Sequence, residues 1–270
     1  MPYNNDTALS KLKRDIDDWV DGVLFHGYPK YYPKKDDEKV IREAVSGYQI
    51  LKPHECLVLD SPIVQRLRYI HQIALSYYLY PTARHTRFDH SLGMAKIAQQ
   101  IGQALGLPDA EIDELRIASI LHDVGHSFFS HASEKLIETR FQADFDAIKD
   151  NYLFSDCNVH EILSYLIVRS PPFTKLLENV FDKYNKKISV DRISRLIIGK
   201  PSEPKISAYM GDIIHGPFDA DKLDYLVRDC YFTGIRACCT KIEIIRVTSD
   251  AIWVLIAPAS LSRILSSLAT

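Results

Sequence analysis

Residues 121–131 read LHDVGHSFFSH, and the fold class turns on how this stretch is reached and left. Before it, Ile112, Leu115, Ala118 and Leu121 recur at the three-to-four spacing of an amphipathic helix that opens near Asp109. Such a helix delivers His122 and Asp123 at its C-terminal end, on directions about 100° apart. If the turn persists, His126 shares the face of His122, four residues back. Gly125 permits the close approach or bend that turns the next segment around a site. An imidazole beside a carboxylate, with no sulfur at hand, suits a hard or borderline divalent ion: Mn, Fe, Mg or Zn.

Two ligands are too few, so further donors must come from elsewhere, with positions left open for water and substrate. Upstream, His90 opens the preceding helix in RFDHSLG, expected over about His90–Leu105 with Leu92, Ala95, Ala98, Ile101 and Leu105 inward. Downstream, DADKLDYLVRD (219–229) offers Asp221. There Asp221, Lys222, Tyr225 and Asp229 fall on one polar stripe, with Leu223, Leu226 and Val227 on the other side. Alone, such a stripe reads as a solvated face with ion pairs at i,i+4. An acid, a cation and a phenol in line are also what a polyphosphate site requires. Histidine placement supports the second reading: six of the ten (His85, His90, His122, His126, His131 and His160) lie at apolar-flanked helix ends, several beside carboxylates.

The rest of the chain reads as helical. An amphipathic helix is expected at Leu9–Leu24, and Ser61 with Pro62 caps another that carries Ile63, Leu67, Ile70 and Ala74. Further helices are expected near 132–140, 159–169, 173–182, 190–198, 205–214 and 219–231, and one more begins at Ala259–Leu268. Val45–Leu59 reads as short extended pieces broken at Pro53. Only Lys241–Val247 and Ala251–Ile256, across Thr248-Ser249-Asp250, read as a β-hairpin. The class is mainly α, with a small β-hairpin near the C-terminus.

Composition narrows the function. With 270 residues, 46% hydrophobic and 25% charged, the chain is an ordinary globular protein of one large domain or two small ones. A net charge of −2 gives no global footprint for nucleic acid or an anionic membrane, though a locally basic groove stays open. The five cysteines (Cys56, Cys157, Cys230, Cys238 and Cys239) are odd in number and form no CxxC, so reduced, packed thiols are expected rather than disulfides or a thiolate site. No apolar leader opens the chain and no stretch approaches the ~20 apolar residues of a membrane span. A cytoplasmic protein without membrane partners is the expectation.

With these residues assembled, the sequence resembles the HD superfamily, specifically its deoxynucleoside triphosphate triphosphohydrolase branch, which includes bacterial dGTPases and the vertebrate SAM-and-HD-domain enzyme. The motifs come in the family's order: SPIVQRLRYIHQ, YPTARHTRFDHSLG, LHDVGHSFFSH, the pair His160-Glu161, and DADKLDYLVRD. The resemblance covers roughly residues 45–257 and implies an HD-type helical bundle over 45–270, preceded by an N-terminal extension over 1–44. It implies metal ligation by His90, His122, Asp123 and Asp221. It implies acid–base roles for His126, His131 and His160, with Glu134 as the carboxylate partner of His160. Arg87 and Lys222 would contact phosphates with Tyr225 beside them, and Gln72 and Asp229 would hold the sugar 3′-hydroxyl.

The implied reaction releases a deoxynucleoside and inorganic triphosphate from a dNTP, with a divalent ion as cofactor and a homo-oligomer as the working form. The alternatives are an HD-type phosphodiesterase or nuclease acting on another nucleotide or a nucleic-acid end, and a non-catalytic nucleotide-binding protein. Two departures from the family stand out. Ser127-Phe128-Phe129 replaces its Gly-Pro-Phe, so the loop before His131 is expected to differ. The family's usual C-terminal continuation, which helps to close the pocket, is expected to be missing.

Overall fold

A computed structural model describes residues 5–24, 28–201, 208–235, 241–248 and 251–257. The chain is mainly α. In order it forms α1 (Asn5–Leu24), β1 (Lys39–Glu43), β2 (Gly47–Leu51), α2 (Pro53–Leu59), α3 (Pro62–Gln65) with a 3-10 turn at Arg66–Tyr69, and α4 (Arg87–Ala104). Then follow α5 (Asp109–Leu121), α6 (His131–Arg140), α7 (Gln142–Lys149), α8 (Val159–Val168), α9 (Pro171–Lys183), α10 (Val190–Ile197), α11 (Ala208–His215) and α12 (Ala220–Thr233). A hairpin of β3 (Lys241–Thr248) and β4 (Ala251–Ala257) closes the described chain.

The helix ends are those the sequence chemistry specifies. Thr86 caps α4: its hydroxyl accepts from the Asp89 amide, and Asp89 Oδ2 accepts in turn from the Thr86 amide at 2.8 Å. Ser189 caps α10, and Asp219 caps α12 by accepting from the Lys222 amide at 2.8 Å. Gly234, in the left-handed region at φ 71°, ends α12.

Helix α5 is the hub. It packs on α4, α10, α11 and α2, while α12 lies across α4 and α1 rests on α7, α8 and α9. Enclosed on every side, α5 buries Leu115, Ile117, Ala118, Ile120 and Leu121 and also its charged residues Asp113, Glu114 and Arg116. Each of those charges has a partner, as burial in a low dielectric demands. Asp113 accepts from Lys52 at 2.5 Å and Lys186 at 2.7 Å, Glu114 pairs with Arg192 at 3.1 Å, and Arg116 pairs with Glu55. On α4 the inward set Leu92, Ala95, Ala98 and Ile101 is buried as expected, with Leu105 half-buried.

Three local expectations are corrected. Pro53 starts a helix instead of breaking a strand, because proline suits the first helical position and Glu55 folds back to accept from the Lys52 amide at 2.8 Å. Residues 39–51 form a second hairpin, paired from Lys39↔Leu51 to Glu43↔Gly47. The helix expected through Ala74 stops at Tyr69: Ile70 turns extended, and the chain pairs with the approach to α4. There Gln72 N donates to His85 O at 3.0 Å and Arg87 N to Ile70 O at 2.9 Å, while Ala74 sits at φ 49°. That pairing, unreadable from periodicity, brings Gln72 beside Arg87.

The expected hairpin near the C-terminus is present, with register from Lys241↔Ala257 to Thr248↔Ala251 and an irregularity between Ile244 and Arg246. Cys238, Cys239 and the helix expected at Ala259–Leu268 lie outside the described residues. Among the described residues, Cys56 and Cys157 are buried free thiols, and Cys230 is half-buried. No helix among them is long and apolar enough to cross a membrane.

Candidate metal centre

Helix α5 ends at Leu121, so its last turn presents His122 and Asp123 at the buried junction with α4 and α12. His90, in the first turn of α4, and Asp221, in the first turn of α12, face the same point. His90 Nε2 lies 2.8 Å from Asp221 Oδ1 and 3.2 Å from His122 Nε2. His122 Nε2 lies 3.2 Å from Asp123 Oδ1 and 4.0 Å from Asp221 Oδ1, and Asp123 Oδ2 lies 4.0 Å from His90 Nε2. Four residues expected from the sequence to converge do converge.

The tautomers show what the arrangement suits. His122 Nδ1 donates to Ser119 O at 2.7 Å, and His90 Nδ1 donates to Asp224 Oδ2 at 2.8 Å. With both Nδ1 protons committed, each ring turns its Nε2 inward, the usual way a protein orients imidazole toward a metal. Two ring nitrogens 3.2 Å apart, flanked by two carboxylates, need a positive charge between them, which a proton on His90 or a bound ion supplies. Spacings of about 3–4 Å are those of donors around an ion with bonds of ~2.0–2.2 Å. These residues fit a divalent cation.

Each ligand is braced. Arg87 donates to Asp123 Oδ2 at 2.7 Å and to the hydroxyl of Ser130, which Ser130's own φ of 52° places at the entry to α6. His126 Nε2 lies 3.2 Å from Asp123 Oδ1. Asp224 accepts from Arg228 at 2.7 and 2.9 Å, and Arg228 reaches Glu43 on β1. Asp224, Arg228 and Glu43 escaped the sequence reading, which placed the functional face of α12 on the Asp221–Asp229 stripe alone. The available signal was an acid and an arginine four apart beside Leu223 and Val227.

A second cluster adjoins the first. Glu134 Oε1 stands 2.8 Å from His126 Nδ1, 2.9 Å from His160 Nδ1 and 3.4 Å from His131 Nδ1. The His126 and His160 rings stack at 4.0 Å. Glu134 thus meets all three imidazoles, not His160 alone. Gly125 makes this possible, because its backbone runs against α8, where a side chain would overlap the carbonyl of His160.

Both clusters open into a cleft of about 350 Å³. Gln72, Arg87, Lys222, Tyr225 and Asp229, all expected at the site, line it. Asn158, Glu161, His215 and Asp219 also line it and were not anticipated. Asp229 is held by His85 at 2.7 Å, whose ring stacks on Phe232 at 4.7 Å. Lys222 donates to Asp219 at 2.6 Å and to Gly216 O at 2.8 Å. The Gln72 side-chain oxygen is buried without a partner. Phe128 and Phe129, in the loop before His131, are exposed.

The electrostatics follow from burial opposed by neighbours. Burial disfavours charge on His90, but the facing carboxylates of Asp221 and Asp224 outweigh it and push the imidazole up to about 10. His122 is held below its ordinary value by burial. Burial would raise Asp123 and Asp221, yet Arg87 and the imidazoles keep Asp123, and His90 keeps Asp221, well below the usual carboxylate range. In the second cluster burial drives His126 down to about 4. Glu134 overcomes burial to hold His160 above its ordinary value. The three imidazoles in turn hold Glu134 ionised.

A family model described as the HD domain matches residues 87–180, the stretch from α4 into α9. An uncharacterized protein of Methanocaldococcus jannaschii is 34% identical over 197 residues, 73% of this chain and 34% of that one. Deoxynucleoside triphosphate triphosphohydrolase SAMHD1 of Homo sapiens is 30% identical over 225 residues, 74% of this chain and 34% of that enzyme. The chain therefore spans about a third of the length of either relative. A crystal structure of a hypothetical protein from Aquifex aeolicus superposes with a TM-score of 0.62 at 27% identity, covering 86% of this chain and 56% of that one.

Proposed function

The chain belongs to the HD-domain family, and from that premise we propose that it is a metal-dependent phosphohydrolase that splits dNTPs into deoxynucleoside and inorganic triphosphate. The observation that carries the reading is the convergence of His90, His122, Asp123 and Asp221 at the floor of a cleft whose walls bear Gln72, Arg87, Lys222, Tyr225 and Asp229. The triphosphohydrolase relatives support the substrate class.

A divalent ion (Mn, Fe, Mg or Zn) held by the four ligands supplies positive charge against phosphate and acidifies water. The chain's own residues do the rest. Arg87 fixes the Asp123 carboxylate and, with Lys222 and Tyr225, faces the phosphates. Gln72 and Asp229 hold the 3′-hydroxyl, with His85 keeping Asp229 in place. His131, its side chain 69% exposed at the cleft, protonates the leaving 5′-oxygen. His160 with Glu134 resupplies that proton, and His126 steadies Asp123. We place the working form in a homo-oligomer with a nucleotide as its small-molecule partner.

One observation favours a second reading. Arg87 and Lys222, the cations assigned to phosphate, are both already paired with carboxylates, Asp123 and Asp219. That arrangement also suits a phosphoester of lower charge, such as a nucleotide monophosphate or a nucleic-acid end. Chromatography of products from a four-dNTP mixture and, in parallel, a single-stranded oligonucleotide, each with Mn²⁺ and with Asp123→Ala as control, separates the two. Nucleoside and triphosphate released by the parent chain alone support triphosphohydrolysis. Intact dNTPs beside a degraded oligonucleotide would replace it with the second reading.

A further inference from the structure

We propose that His126, His131, Glu134 and His160 form a second metal site, suited to zinc or another late divalent ion, whose occupancy withdraws these imidazoles from proton transfer. The first argument is geometric. One ligand atom from each of the four residues lies within 4.8 Å of all the others. Three Nδ1 atoms surround a single carboxylate oxygen at 2.8, 2.9 and 3.4 Å. Donors around a tetrahedral ion with bonds of ~2.0–2.1 Å stand roughly 3.3 Å apart, close to the three oxygen–nitrogen spacings here.

The second argument is the polar accounting. Both nitrogens of His126, Nδ1 of His160 and Oε1 of Glu134 are buried without a hydrogen bond of good geometry, although they crowd together. Buried polar atoms are ordinarily satisfied. His126 is 1% exposed, so bulk solvent hardly reaches these atoms. An ion at the centre satisfies three of these atoms at once.

The third argument is the surrounding shell. His126 ligating through Nδ1 leaves its Nε2 proton facing Asp123 Oδ1 at 3.2 Å, where a small ring rotation completes the hydrogen bond, whereas His160 Nε2, 3.9 Å from Glu161 Oε1, stands beyond hydrogen-bond reach. Metal-bound imidazoles ordinarily find a carboxylate in this way. His131, exposed at the cleft, gives the entry path. Three imidazoles and one carboxylate select zinc over magnesium. Binding displaces the cluster's proton to solvent.

The binding site stands without the proposed dNTP reaction; the loss of proton transfer rests on it. The test therefore counts ions before it reads turnover. Chelator-stripped protein is dialysed against excess Zn²⁺ and its zinc content measured, with circular dichroism confirming the fold of every variant. Two zinc ions per chain are expected for the parent. Glu134→Ala and His131→Ala should hold one, and Asp221→Ala should keep the cluster ion. Asp221→Ala loaded with Co²⁺ should show the intense visible bands of a tetrahedral site. One zinc per parent chain at saturation, or a second ion that survives in both Glu134→Ala and His131→Ala, would overturn the site. In the Mn²⁺-loaded parent, added zinc should lower turnover and a chelator restore it; full turnover with the cluster ion bound would overturn the regulatory role.

Discussion

His90 Nδ1 donates to Asp224 Oδ2 at 2.8 Å, and this contact sets which nitrogen His90 offers to the metal centre. It links the first turn of α4 to a carboxylate of α12 that lies 2% exposed and never reaches the cleft. Replacing Asp224 by Asn removes the charge and leaves the tautomer unspecified. Loss of such an outer partner typically weakens metal binding ~10–100-fold. Isothermal titration with Mn²⁺ should show a drop of that size; unchanged affinity would remove Asp224 from the centre.

The same carboxylates make metal uptake pH-dependent. His90, pushed up to about 10, keeps a proton through neutral pH, whereas His122 lies below its ordinary value and is already neutral. An ion entering at pH 7 must therefore expel about one proton. Affinity should rise about tenfold per pH unit between pH 7 and 9 and level off near 10. Calorimetry in buffers of different ionisation enthalpy reads the released proton directly. Affinity that is flat over this range would show that His90 is free of its proton.

Arg228 is 0% exposed and bridges Asp224 on α12 to Glu43 on β1. Arg228→Ala strands two buried carboxylates, a change that ordinarily costs ~3–5 kcal/mol. Denaturant unfolding of the metal-free chain should show a loss of that order. A cost below about 1 kcal/mol would mean that the ion pairs are exposed in solution.

Gly125 has no room for a side chain: a Cβ there would overlap the His160 carbonyl and stand 2.5 Å from the Ser164 amide. Both are backbone atoms, so Gly125→Ala must push α8 away from the turn. Overpacking of this kind costs about 1–3 kcal/mol, and here it also carries His160 away from Glu134. Lower stability together with a loss of turnover approaching that of His160→Ala is expected. Wild-type kinetics in Gly125→Ala would contradict the close packing.

His54, buried against α5, is driven down to about 4 chiefly by its burial. Its folded form stays neutral while the unfolded chain takes up a proton below its ordinary value near 6.5. Stability is thus complete above that value and lost as pH falls toward 4, by about 3 kcal/mol in all. Between pH 7 and 5 the advantage of the parent over His54→Gln should shrink by about 2 kcal/mol. An advantage independent of pH would show that His54 takes up its proton alike in the folded and unfolded chain.

Much of this molecule was legible from residue spacing and capping. Helices α5, α8 and α12 lie close to the expected 109–121, 159–169 and 219–231, while α4 begins at Arg87, three residues before the expected His90; their ends carry His90, His122, His160 and Asp221 to the site. What was illegible depends on contacts distant in sequence. The strand-like pairing of Ile70–Gln72 with 85–87 overrode a helical pattern, because the backbone of the approach to α4 offered partners that periodicity cannot see. The buried charges of α5 and α12 went unread, because the partners that make their burial possible, Lys52, Lys186, Glu55 and Glu43, lie far along the chain.

The most direct test is an anomalous-difference map at the manganese edge from crystals grown with Mn²⁺. A single strong peak about 2.0–2.2 Å from His90 Nε2, His122 Nε2, Asp123 and Asp221 Oδ1 is expected. A peak displaced from any one of the four ligands, or no peak at saturating Mn²⁺, would contradict the centre on which the proposed chemistry depends.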